Sequence, residues 1–221
     1  MALEFSWADG ERVMFIGDSV TEDPLGYTRI IPALVSARYP ERRIEYYPRG
    51  VGGNRVGDLL ERLEPDLLGN LHLPTWVGVS IGLNDAGDAG DSTPLGRFQE
   101  LYESLIQRLL DWKARLVCLT TTVKGEDQDS KDNRTLAGYN DAIRAIAFKY
   151  GAELVDVNQA FHAAIRRAQA VNPAFRYTID GVRLNVYGNY LMAITILQSL
   201  HFSLRQEEGG TAAGGEQRFA A

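Results

Sequence analysis

Short apolar runs alternate with amphipathic stretches along most of the chain. Arg12-Val13-Met14-Phe15-Ile16, Arg43-Ile44-Glu45-Tyr46-Tyr47, Thr75 to Ile81, Arg115 to Thr121 and Ala152 to Asp156 read as five short strands. Several are apolar throughout, as strands covered on both faces are. Between them, Phe98, Leu101, Leu105, Leu109 and Trp112 recur at three- and four-residue spacing, and Pro94 after Ser92-Thr93 supplies a helix start. A further helix is read over Phe161 to Ala170. Strands alternating with helices predict an α/β fold, a five-stranded parallel sheet sandwiched by helices. Right-handed crossovers then place every strand's C-terminal end on one edge, where such sheets bind ligands. The glycine-bearing segments Gly17-Asp18-Ser19, Gly50-Val51-Gly52-Gly53-Asn54 and Gly82-Leu83-Asn84-Asp85 fall on that edge.

The 221 residues, 45% hydrophobic, fit one domain with a substantial core. We place a lead at residues 1–10 and the domain at 11–204. From 205 to 221 the chain is rich in Gly, Ala and Glu with no periodic apolar face, and reads as a disordered tail or an expression remnant. The net charge of −6 argues against nucleic acid or an anionic membrane surface as partner, since both require a basic face. The single cysteine, Cys118, lies in an apolar run and reads as a buried, inert thiol. No apolar stretch reaches the ~18–20 residues of a membrane helix, and the N-terminus lacks the basic and apolar segments of a secretory signal. A cytoplasmic location is the default, although a chain trimmed of its signal would read the same way. The acidic loop Lys124 to Asn133 lacks the spacing of a calcium site and reads as solvated surface.

Ser19 is the candidate nucleophile, because a serine at a sharp strand-to-helix turn projects its hydroxyl above the sheet edge. The triplet alone would equally suit an ordinary turn or helix cap. Two further strand ends change the balance by offering oxyanion donors: the backbone N–H of Gly53 and the side-chain amide of Asn84, alongside the Ser19 N–H. Asp18 and Asp85 support them. Together these residues resemble the GDSL/SGNH hydrolase superfamily, whose serine, glycine, asparagine and histidine come from four blocks. Gly17-Asp18-Ser19 matches the first block, Gly53 the second and Gly82-Leu83-Asn84-Asp85 the third, while Asp180-Gly181-Val182-Arg183 occupies the fourth. Arg55 to Leu63, Ala137-Gly138-Tyr139-Asn140 and Tyr187-Gly188-Asn189 add to the likeness, which spans about residues 11 to 203. The resemblance implies a flavodoxin-like three-layer α/β/α sandwich and ester hydrolysis through an acyl-enzyme, without cofactor or metal. The substrate by analogy is a small-molecule or carbohydrate ester, as for acetylxylan esterases, and a homo-oligomer is compatible with it.

The fourth block departs from the pattern. The family's Asp-x-x-His places a base three residues after the aspartate that orients it, and here Arg183 stands there. Arginine has no acceptor lone pair and stays protonated, so it cannot take the serine proton. His72, His162 and His201 read as structural or surface residues. Arg183 either binds an anion or forms a salt bridge with Asp180. Three readings follow: an esterase weakened by Arg183 or rescued by another base, a non-catalytic relative binding a carbohydrate or anionic ligand, and a phosphate- or flavin-binding module. The last lacks a convincing phosphate loop.

Overall fold

The computed structural model describes residues 4–69, 72–87 and 91–203. In chain order it contains β1 (Arg12–Gly17), α1 (Ser19–Glu22), α2 (Tyr27–Arg38), β2 (Glu45–Gly50), α3 (Val56–Leu68), β3 (Trp76–Ser80), α4 (Leu95–Leu110), β4 (Arg115–Leu119), α5 (Lys131–Tyr150), β5 (Glu153–Val155), α6 (Val157–Val171) and α7 (Val186–Ser199). The expected tail at 205–221 lies outside the described residues.

All five strands form one parallel sheet in the order β2-β1-β3-β4-β5. Helices α2, α6 and α7 pack together, as do α3, α4 and α5. These are the two outer layers that right-handed crossovers require when the chain steps from β1 to β2 and then reverses to β3. The sequence reading ended β2 at Tyr47, but the strand continues through Pro48 to Gly50, with Phe15 opposite Pro48. Proline is tolerated there because β2 is an edge strand. Helix α6 likewise starts earlier than expected, at Val157, because Asp156 caps it by accepting the Gln159 N–H at 3.1 Å.

Burial follows position in the sheet: β3 is buried throughout and the outer strands are partly exposed. Trp7, Phe15, Tyr27 and Trp76 pack edge to face beneath the sheet's centre. The lead expected at 1–10 contributes Phe5 and Trp7 to this core, and the Ser6 N–H donates to the Leu200 carbonyl at 2.9 Å. Its apolar residues, too few to suggest an element, are recruited by tertiary packing. Cys118 is buried in β4, and burial pushes its thiol up to about 11, which keeps it protonated and inert. No described helix is long and apolar enough to cross a membrane.

Candidate active site

The strand order reverses direction between β1 and β3, and open α/β sheets form their ligand crevice at that switch point. Ser19 follows β1 and Asn84 follows β3, so they flank it. At the end of β1, Asp18 adopts an extended conformation and accepts the Val20 N–H at 3.0 Å, which starts α1 at Ser19. This helix is a single turn, Ser19–Glu22. Asp18 is buried, and desolvation raises its carboxyl to about 7 against the opposing Val20 hydrogen bond, with nearby Asp85 adding to the rise. Ser19 itself is half-buried.

The second block is folded tightly over the first. A Cβ on Gly50 would overlap the Glu22 amide nitrogen, so only glycine lets β2 end against α1. The Val51 N–H donates to the Gly17 carbonyl at 3.1 Å and the Asn54 N–H to the Val51 carbonyl at 3.2 Å. Gly53, at φ +78°, takes the left-handed conformation that turns the chain between them. Among the described residues, no hydrogen bond uses the N–H of Ser19 or of Gly53. Asn84 donates from Nδ2 to the Asn54 carbonyl at 2.9 Å, which fixes its amide and leaves a second N–H on the same nitrogen. Asp85 is fully buried and accepts the Val56 N–H at 3.1 Å, joining the third block to the start of α3. Burial raises its carboxyl, against the Thr93 and Val56 hydrogen bonds.

Arg62, in a segment singled out only by resemblance, organises these loops. Its Nη2 donates to the carbonyls of Gly17 at 2.9 Å and Arg49 at 3.0 Å, and its Nε to Asn54 Oδ1 at 2.6 Å. Its Nη1 pairs with Asp66. Asn189 ties α7 to the same region by donating to Asp23 Oδ2 at 3.0 Å and accepting the Tyr27 N–H at 3.2 Å. In α5, Asn140 accepts the Thr121 N–H at 2.8 Å and holds the end of β4.

The fourth block is an exposed turn. Asp180 accepts the backbone N–H groups of Val182 at 3.1 Å and Arg183 at 2.8 Å, and Arg183 Nε closes a salt bridge to its other oxygen at 2.8 Å. These donors, led by the Arg183 backbone, lower the Asp180 carboxyl to about 2. Of the two alternatives for Arg183, the salt bridge is therefore formed, while the side chain stays 70% exposed. Arg183 and Ser19 line one cleft of about 620 Å³ with Glu22, Asp23, Ile179 and Asn189. Gly53 and Asn84 line a smaller cleft of about 310 Å³ with Arg55, Lys124 and Val182. Val182 and Arg183 thus face the two clefts from one turn. No histidine lines either. His72 pairs with Glu45 at the opposite sheet edge, His162 is on α6, and His201 follows α7.

An acetylxylan esterase from Geobacillus stearothermophilus is 26% identical over 215 residues, covering 87% of this chain and 95% of that protein. Its crystal structure superposes with a TM-score of 0.81 at 24% identity, covering 92% of this chain and all of that one. It has also been solved as catalytic mutants in which a serine, an aspartate or a histidine is replaced by alanine. An alpha/beta hydrolase from the metagenome of Lake Arreo, Spain, superposes with a TM-score of 0.79 at 25% identity, covering 89% of this chain and 98% of that one. The model of the GDSL-like lipase/acylhydrolase family matches residues 15–189, a span that contains all four blocks, and the chain belongs to that family.

Proposed function

We propose that this protein is a serine esterase that removes short acyl groups, acetyl foremost, from carbohydrates through an acyl-enzyme, at a rate held down by Arg183. Ser19 Oγ attacks the ester carbonyl, and the N–H groups of Ser19, Gly53 and Asn84 receive the oxyanion. The substrate class is carried over from the acetylxylan esterase to which the chain is similar. The observation that carries the reading is the fourth block: Asp180 holds Arg183, in the cleft that contains Ser19, where the family's aspartate would hold an imidazole. That aspartate can orient a base, but the group it orients cannot accept a proton.

Replacing the one missing group tests this reading. Arg183→His is expected to raise hydrolysis of a short-chain aryl acetate at least about a hundredfold, a cautious share of what a complete triad contributes. The gain should disappear in the Ser19→Ala background. A folded Arg183→His variant with no gain, together with carbohydrate binding but no turnover by the unaltered chain, would favour the non-catalytic reading instead.

A further inference from the structure

We propose that Glu22 is the general base of this chain, doing with a carboxylate what Arg183 cannot do. The proposal rests on the assignment of Ser19 as nucleophile and supplies the proton acceptor missing from it. Glu22 is the last residue of the single-turn α1 and stands three positions after Ser19, a spacing that puts both side chains on one face. Both line the same cleft. A Cβ built on Gly52 would lie 2.7 Å from Glu22 Oε2 and 3.9 Å from Ser19 Cβ. The carboxylate and the serine side chain therefore border one gap, kept open because residue 52 has no side chain.

Asp23, the other acid lining this cleft, and Asp180 beside it are both occupied. Asp23 accepts the Leu25 N–H at 2.9 Å and the Asn189 amide at 3.0 Å. Asp180, on the turn that carries Arg183, receives three donors from Val182 and Arg183. Among the described residues, the Glu22 carboxylate takes part in no side-chain hydrogen bond or salt bridge, and the residue is exposed. It is the acid of the cleft whose lone pairs are unclaimed.

The proton balance closes around it. As Ser19 Oγ bonds to the ester carbonyl carbon, its proton passes to a Glu22 oxygen. When the tetrahedral intermediate collapses, the bond to the sugar oxygen breaks and that oxygen takes the proton from Glu22, leaving as the alcohol. A water then gives a proton to Glu22 as it attacks the acyl-serine, and collapse releases the acid while Ser19 Oγ recovers the proton. A carboxylate is a weaker base than an imidazole, so this route is slower than that of a full triad.

The test measures kcat/KM for 4-nitrophenyl acetate in the unaltered chain and in variants checked for unchanged thermal melting. Glu22→Gln is expected to lower the Ser19-dependent rate at least about tenfold. Glu22→Ala should be partly rescued by added formate, whereas Ser19→Ala/Glu22→Ala should not. With Arg183→His in place, Glu22→Gln should cost less than about threefold, because the imidazole then carries the proton. The proposal is overturned if Glu22→Gln keeps the full Ser19-dependent rate, or if it costs the same factor in both backgrounds. It is also overturned if the unaltered chain has no Ser19-dependent turnover while Arg183→His does, a result that leaves the nucleophile assignment standing. Absence of turnover in Arg183→His as well would overturn that assignment too.

Discussion

The loops after β1, β2 and β3 are held by buried polar groups that reach across the sheet edge, whereas the fourth block is held by itself. In the first region Arg62 spans three segments, Asp85 reaches α3 and Asn54 positions Asn84. In the second, Asp180 is satisfied by its neighbours two and three residues away, in solvent. Buried polar groups left without partners cost stability, while exposed ones are resolvated. Change at the fourth block can therefore alter chemistry while sparing the fold. Arg183 is placed this way: its salt bridge to Asp180 closes the turn from within.

Four measurements would break or sharpen this contrast. Arg62→Ala should cost the most, about 3 kcal/mol in denaturant unfolding, because Asp66, the Asn54 side chain and two carbonyls lose their donor together. A loss below 1 kcal/mol, on the order of an exposed pair, would mean the loops hold without the clamp. Next, Asn84→Ala in the Arg183→His background should lower the restored kcat by about a hundredfold, as removal of one oxyanion donor does. Little change there would remove Asn84 from the reaction.

The third measurement concerns Asp18. Its folded carboxyl titrates at about 7 and an unfolded one near 3.8, so the folded state keeps a proton that the unfolded chain releases between these values. Stability should be greatest below about 4 on this account and decline steadily as pH rises toward 7. Asp18→Asn should flatten that part of the pH–stability curve, and an unchanged slope would show that Asp18 does not control it. The smallest effect is expected from Arg183→Ala, less than about 0.5 kcal/mol, because the bridge is exposed on both sides. A larger loss would bring the fourth block into the cooperative core.

The strands were legible because each is a local apolar run, and the errors have local causes: Pro48 hid the second half of β2, and the cap at Asp156 was read as strand. The first three blocks were legible as residue types at strand ends, and the fourth only through the family resemblance. Arg62, Glu22 and the burial of Phe5 and Trp7 were not. Arg62 bonds to Gly17, 45 residues away, and no periodicity marks such a partner. Glu22 reads in the sequence as an ordinary acidic residue of a first helical turn, and only the structure shows that it and Ser19 border one gap next to Gly52.

The sequence by itself determined the alternating elements, and hence the parallel sheet and its functional edge, because backbone preference and side-chain periodicity are local properties. It also determined that position 183 cannot accept a proton, since that follows from the chemistry of the guanidinium wherever it lies. Only the tertiary structure decided which donors and acids meet. Asn84 is aimed by a carbonyl 30 residues earlier, Asp180 is taken by Arg183, and Glu22 is left unclaimed in the cleft with Ser19. Those outcomes depend on crossovers that bring distant strand ends within bonding distance, and no local pattern encodes the distances they produce.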